Sequence, residues 1–321
     1  MKIFSINQLL SKELIQLDNQ LKVRSQTNVE MINTLSNHII SSGGKRLRPI
    51  LLMLSAYSSD PDIEEKIIDA SVVVEFIHAA TLLHDDVVDM SKIRHSQDTA
   101  NIIWGNKGAV LVGDFLYSRA FEIIVEINKS LVYETLAKTT NTIAQGEVMQ
   151  LMNIGNIDLD ENLYMDIIYR KTAILFEASA KIGSILSDNK NFDSLASFGS
   201  HFGKAYQLRN DYLDYFGDKE NTGKNAIEDL FEGKATLPVI HSLHNATKID
   251  EEILRESYKD AKNADGKIII EILKKYKSDL YIQKKITEET EIAISSIKGI
   301  SPSKYKEQLM ALALFCRERV S

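Results

Sequence analysis

The sequence predicts an all-α fold, and three observations carry that expectation. The 321 residues hold only four prolines, Pro49, Pro61, Pro238 and Pro302, with none between Pro61 and Pro238. Turn dipeptides such as Asn-Gly or Asp-Gly are rare, whereas a β-rich chain of this length needs many. Apolar residues return at helix-compatible intervals, as in Leu131, Leu136, Ile143, Val148 and Leu151.

Taken in order, residues 1–40 read as two amphipathic helices, ending at Ser41-Ser42-Gly43-Gly44, where paired glycines permit positive φ. Lys45, Arg46, Arg48 and Pro49 follow, then an apolar helix over 50–57. Three cations in four residues at a helix start suit an anion with several oxygens, although ordinary basic turns look the same. Asp60-Pro61-Asp62 opens the next helical region, with Pro61 acceptable at a first helical position, and that region runs through 69–90. Its apolar run leads into Asp85, Asp86 and Asp89, with His78 and Thr81 on nearly the same stripe and Arg94 beyond.

Residues 95–99 read as a polar connection, and 101–108 lead into an apolar helix over 109–127. Trp104, Phe115, Tyr117 and Phe121 are read as packing. A helix over 131–152 and a loop over 153–160 precede a helix over 161–185, whose apolar face Lys171-Thr172 interrupts. An unpaired buried ammonium is costly, so Lys171 needs either a carboxylate from a neighbouring helix or a bound phosphate. The helix over 198–206 ends in a second acidic cluster, Asn210, Asp211 and Asp214, spaced like the first. Gly217, Gly223, Lys224, Gly233 and Lys234 then read as a glycine-punctuated lid over phosphate. Residues 239–321 read as amphipathic helices with solvated lysines, the last capped by Ser301 with Pro302 at its first position.

Composition bounds the function. A chain that is 44% apolar and 26% charged is globular, and a net charge of −7 argues against nucleic acid as the main partner. The single Cys316 cannot form an internal disulfide, which fits a reducing compartment. Neither a secretory signal nor a transit peptide is visible in residues 1–30. No apolar run approaches the roughly 20 residues of a membrane helix, so the expectation is a soluble, cytoplasmic protein.

The chemistry follows from the polar intrusions. On a helix Asp85 and Asp89 share a face about 6 Å apart along the axis, and like charges so placed repel. A hard divalent cation such as Mg²⁺ removes the conflict, and it commonly binds through one or two carboxylates plus substrate phosphates. Acids for metal, with cations at Lys45/Arg48, Arg94, Lys171 and Lys224 for phosphate, make a site for an organic diphosphate. The apolar surface below the acids implies a hydrocarbon for its organic part. Nothing in the sequence reads as a Walker loop or a Ser-His-Asp set.

GGKRLRP at 43–49, LLHDDVVD at 82–89, the Lys171-Thr172 pair, and QLRNDYLD followed by GK-rich turns and ATLP resemble the trans-polyprenyl diphosphate synthases. The resemblance spans roughly residues 41–238 in the right order. EFIHAATLLHDDVVD and GEVMQLMN are most like the bacterial octaprenyl diphosphate synthases. The resemblance implies one domain over 1–321, a helical bundle around a central cavity of the isoprenoid synthase type, acting as a homodimer and delivering its product to a membrane for ubiquinone side chains. It implies that Asp85 and Asp89, supported by Asp86, and Asn210, Asp211 and Asp214 hold two to three Mg²⁺ ions. Lys45, Arg48, His78 and His95 would hold isopentenyl diphosphate. Arg94, Lys171 and Lys224 would hold the allylic diphosphate and Lys234 would bind substrate, while Thr172 and Gln207 face the reacting carbons. Small Ala80 and Thr81 before the first acid motif imply an open tunnel and a long product, unless Ala80 simply packs against a neighbouring helix. No side chain stands out as a strong base, which leaves released diphosphate to take the proton.

Two positions depart from the family's pattern. His95 stands where the second of two arginines is usual, followed by Ser96 in place of glycine, and Asn210 replaces an aspartate. These imply weaker, pH-dependent binding of isopentenyl diphosphate and a raised Mg²⁺ requirement. Two other readings stand beside the synthase. One is a non-catalytic subunit of a heteromeric synthase, motivated by the two departures. The other is a class I terpene cyclase, whose second metal motif also starts Asn-Asp; here Asp214 and Asp218 stand where a hydroxyl residue and a glutamate would follow, and a cyclase has no need of GGKRLRP.

Overall fold

The computed structural model describes residues 2–42, 44–63, 66–94, 97–188, 192–217 and 227–319. Among them the fold is all-α but for one strand pair, Ile93–Arg94 (β1) and Gln97–Asp98 (β2), antiparallel with Arg94 opposite Gln97. The chain divides into two compact units, residues 1–140 with 178–196 and 299–311, and residues 141–177 with 197–298 and 312–321.

The first unit is built on α1 (Lys2–Leu9), α2 (Ser11–Arg24), α3 (Glu30–Ser41), α4 (Leu47–Tyr57), α5 (Ile67–Val88) and α6 (Ala100–Ile127). Helices α2, α3, α4 and α6 all pack on α5. A helix apolar on every side must be buried on every side. Accordingly Ile67, Ala70 to Val74, Phe76 and Ile77 are all buried. Helix α5 is also long and apolar enough to cross a bilayer, which corrects the expectation that no stretch approaches that length. With 67% of its apolar window buried within the protein, it is a core helix. The eye misses it because Asp69 and Glu75 interrupt the run while leaving its average apolar.

Glu75 shows how the core accepts a charge. Its Oε2 takes a 2.7 Å hydrogen bond from Arg46 Nη1, and Arg46 Nη2 also donates to the Ile40 carbonyl at 2.8 Å. Arg46 adopts a left-handed φ of 47° just before α4. Of the three clustered cations, one therefore turns inward to a buried carboxylate, while Lys45 stays exposed and Arg48 half-buried.

Several boundaries differ from the sequence reading. The N-terminal region forms three helices because the chain breaks at Leu10. Helix α4 begins at Leu47, so Arg48 and Pro49 lie in its first turn, where proline's missing N–H costs nothing. Residues 60–62 are a turn outside any helix, and α5 starts and ends two residues early. Helix α6 absorbs 101–108 and kinks at Gly105.

The second unit takes the later part of α7 (Ser130–Met152), then α8 (Glu161–Ile168), a π-helical turn (Tyr169–Ala173), and parts of α9 (Ile174–Leu186) and α10 (Phe192–Phe216). It continues through α11 (Glu228–Phe231), α12 (Leu237–Asn245), α13 (Lys248–Lys259), α14 (Gly266–Lys275) and α15 (Ser278–Ser296) to the end of α16 (Lys304–Glu318). Its core gathers Tyr164, Ile167, Leu208, Tyr215, Leu237 and Ile282 among others. Asp160 caps α8, its side chain accepting from Leu163 N at 3.0 Å. The cap of α16 is Ser303, whose Oγ accepts from Lys306 N at 3.1 Å, rather than Ser301.

Candidate active site

The first acidic motif closes α5. Asp85 and Asp89 sit one turn apart, joined through the Asp89 N to Asp85 O bond of 2.8 Å, and both are half-buried. Asp86 is different: 1% exposed, it accepts from Arg94 Nε at 3.1 Å and Nη2 at 2.8 Å. Burial pushes its carboxyl above the ordinary value, against the opposing pull of Arg94. Asn101 Nδ2 donates to the Asp86 carbonyl at 3.0 Å, and Thr99 Oγ1 to the Ser91 carbonyl at 2.7 Å. The segment after the motif is thereby pinned to the base of α6.

Asp85 and Asp89 are the pair that fits a divalent cation. Among the described residues no group of three or more His, Cys, Asp or Glu side chains gathers closely enough to hold a metal. Two half-buried carboxylates on one helix face supply part of a hard cation's oxygen shell and leave the rest to a diphosphate and water. His78 is half-buried and its carbonyl accepts from Thr81 Oγ1 at 2.8 Å, while Ala80 is fully buried. His84 was not singled out by the sequence reading. Its Nε2 lies 3.4 Å from Asp114 Oδ1 and 3.2 Å from the Val110 carbonyl.

In the second unit the mid-helix lysine meets a carboxylate, one of the two partners read for it from the sequence. Lys171 Nζ lies 2.7 Å from Glu147 Oε2. Lys171 and Thr172 stand within the π-helical turn, an irregularity that recurs at functional sites. Close helix approach surrounds the turn. A Cβ at Gly146 would come within 2.7 Å of Arg170 Cβ and 2.8 Å of Lys171 N, and one at Gly203 within 2.5 Å of Ala173 Cα.

Thr172 Oγ1 donates to Gln207 Oε1 at 3.1 Å, and Gln207 Nε2 to Asp211 Oδ1 at 2.7 Å. Tyr164 donates to the other Asp211 oxygen at 2.5 Å. Asp211 is 3% exposed. Burial, then the charge of Asp229, pushes its carboxyl up to about 7, against the hydrogen bonds from Tyr164 and Gln207 and the charge of Lys234. Asp214 accepts from Glu228 N at 3.1 Å and Asp229 N at 3.2 Å, fixing the start of α11. The Asn210 carboxamide oxygen accepts from Arg319.

Lys171, Thr172, Gln207, Asp211 and Lys234 line one cavity of about 130 Å³, with Tyr164 and Asp229. Lys234 Nζ is 2.7 Å from Glu232 Oε2. His95 and Lys224 lie outside the described residues, as does most of the glycine-punctuated segment between Gly217 and Ile227. Sequence reasoning missed Glu147, Tyr164, Asp229 and Arg319 as members of the site. Only Glu147 had a signal, the need of mid-helix Lys171 for a partner and its own place in GEVMQLMN.

The family model described as Polyprenyl synthetase matches residues 29–276. The chain is 36% identical over 322 aligned residues to octaprenyl diphosphate synthase of Escherichia coli K12, covering 99% of each. It is 34% identical to an all-trans-nonaprenyl-diphosphate synthase of Rhodobacter capsulatus, over 97% of this chain and 96% of that one. Among solved structures, a polyprenyl synthase from Caulobacter crescentus complexed with calcium and isoprenyl diphosphate superposes with a TM-score of 0.95 at 34% identity, covering 99% of this chain and 98% of that one. A decaprenyl diphosphate synthase from Rhodobacter capsulatus does so with 0.93 at 31%, covering 99% of both. With its acid-tipped α5, its π-turn lysine and its all-helical fold, the chain belongs to the polyprenyl synthetase family and is a prenyltransferase.

Proposed function

We propose that the chain is a long-chain synthase that joins isopentenyl diphosphate head to tail onto an allylic diphosphate such as farnesyl diphosphate, with octaprenyl diphosphate as product for ubiquinone side chains. The observation that carries this reading is the likeness to octaprenyl diphosphate synthases along 99% of the chain. The family match spans residues of both units, which supports reading 1–321 as one synthase domain.

Asp85 and Asp89, supported by Asp86, with Asp211, Asp214 and Asn210 in the second motif, are the proposed holders of two to three Mg²⁺ ions. Bound there, Mg²⁺ draws charge off the diphosphate and makes it a better leaving group. Calcium accompanies isoprenyl diphosphate in the Caulobacter crescentus structure, which supports a divalent cation here. Lys171, Lys234, Arg94 and Lys224 are the proposed holders of the allylic diphosphate, and the position of Lys171 and Lys234 at the cavity supports the first two. Lys45, Arg48, His78 and His95 take isopentenyl diphosphate. Thr172 and Gln207 face the reacting carbons, where fixed dipoles stabilise the positive charge left as diphosphate departs and the apolar lining excludes water. Buried Ala80 is consistent with either a tunnel wall or packing, and with Thr81 it is the proposed chain-length position.

Exposed apolar residues on α6, including Leu111 at 67% and Val125 at 70%, support a homodimer through that helix. A single cysteine, Cys316, which cannot form an internal disulfide, fits a reducing compartment and supports a cytoplasmic location.

A second reading rests on 32% identity, over 76% of the chain, to heptaprenyl diphosphate synthase component 2 of Geobacillus stearothermophilus. In that reading the chain works with a second subunit. Incubating the purified chain with Mg²⁺, farnesyl diphosphate and labelled isopentenyl diphosphate separates the two. Linear products near C40 are expected; label absent from every product at any Mg²⁺ level would reject the synthase reading for the isolated chain.

A further inference from the structure

Arg319 lies one residue beyond α16 and is 7% exposed. Its Nη2 donates to the Asn210 carboxamide oxygen and, at 3.4 Å, to the Tyr206 carbonyl, and its guanidinium stands 4.2 Å from the Tyr206 ring centroid. Its own carbonyl accepts from Arg209 Nε at 2.8 Å and also from Arg209 Nη2. The backbone at Arg319 is thus anchored independently of its side chain.

From Asn210 the contacts continue inward. Asn210 Nδ2 donates to Gln207 Oε1 at 3.5 Å, a long bond onto an oxygen that also accepts from Thr172. Gln207 Nε2 donates to Asp211, whose second oxygen is taken by Tyr164. The donor inventory fixes the direction of this chain at both ends. Guanidinium only donates, the two Asp211 oxygens accept from Gln207 and Tyr164, and each amide between Arg319 and Asp211 must accept on one side and donate on the other. Position 210 therefore needs an amide. Asn210→Asp would present a second acceptor oxygen to Gln207 Oε1, and turning the Gln207 amide over would set its oxygen against Asp211.

We propose that Arg319 is a positioning residue for Gln207, acting through Asn210, and that asparagine at 210 serves as the accepting and donating link of this relay. The proposal rests on the reading that Gln207 faces the reacting carbons. It accounts for the departure at 210 as a gain in orientation.

The test compares Arg319→Ala, Asn210→Leu, Asn210→Asp and Arg319→Lys in the full-length protein, alone and in a Gln207→Leu background. Arg319→Ala and Asn210→Leu are each expected to lower kcat roughly tenfold with KM nearly unchanged, the usual scale for a misplaced group. The Arg319→Ala/Asn210→Leu variant is expected to be no worse than Asn210→Leu alone, and Arg319→Ala should cost nothing further once Gln207 is leucine. Arg319→Lys keeps a donor and should recover most of the loss. Asn210→Asp should lower kcat as well. A second readout is independent of turnover. With ¹⁵N-glutamine labelling, the side-chain amide signal that disappears in Gln207→Leu should shift in Arg319→Ala and in Arg319→Lys to a smaller extent. Additive losses, an Arg319→Ala loss that persists without Gln207, or an unmoved amide signal would overturn the relay. An inactive wild type with the shift intact would reject the synthase reading alone.

Discussion

Lys171 Nζ lies 2.7 Å from Glu147 Oε2, with both side chains at the edge of exposure, 21% and 29%. The pair holds a cation at the wall of a cavity, where a diphosphate oxygen can replace or join the carboxylate. Lys171→Met should lower kcat/KM by about 10²–10³, the scale for removing one charge-stabilising donor. Glu147→Gln keeps a hydrogen-bonding partner but frees the lysine, and about a fivefold to tenfold loss is expected from steady-state kinetics. A half-exposed pair contributes at most about 1 kcal/mol, so neither change should unfold the protein.

Gly113 makes room for His84 beside the first acid motif. A Cβ there would lie 2.3 Å from His84 Nε2. Gly113→Ala should destabilise by roughly 1–3 kcal/mol, the cost of overpacking, and shift Asp85 with its helix. Thermal melts should show Gly113→Ala well below wild type, and adding His84→Ala should recover most of the difference. A Gly113→Ala variant that melts like wild type would show that His84 swings clear at no cost.

The raised carboxyl of Asp211 predicts a contribution to stability that falls as pH rises. Its carboxyl is raised from an ordinary value near 3.8 to about 7, so between those values the folded state holds a proton that the unfolded state releases. The stabilisation is full below pH 3.8 and lost as pH passes through 7. Asp211→Asn removes that dependence. The melting temperature of the variant relative to wild type should therefore rise from pH 4 to pH 7.5 in metal-free buffer. A difference flat with pH would mean that Asp211 is ionised throughout.

The fold was legible where one local rule decides. Scarce prolines and helical spacing gave the all-α class, and the four-residue step from Asp85 to Asp89 placed both acids on one face. Of the two partners read for Lys171, a carboxylate or a phosphate, the structure supplies the carboxylate. What stayed hidden depends on neighbours distant in sequence. The π-helical turn at Tyr169–Ala173 accompanies close approaches at Gly146 and Gly203, which no periodicity announces. Arg46 reads as a third phosphate cation until Glu75 is seen beneath it. Residues 239–321 read only as amphipathic helices with solvated lysines, yet Arg319 returns to Asn210 across 109 positions. Ser301-Pro302 looked like a cap, whereas Ser303 makes the bond.

The central claim is that the carboxylates closing α5 hold the divalent cation on which prenyl transfer depends. Its most direct test is incorporation of labelled isopentenyl diphosphate into extractable prenyl diphosphates by wild type and by the Asp85→Asn/Asp89→Asn variant, with Mg²⁺ titrated from zero. Wild type is expected to show Mg²⁺-dependent incorporation, and the variant a loss of at least about 100-fold with its melting temperature unchanged. Incorporation that survives chelation, or a variant as active as wild type, would contradict it.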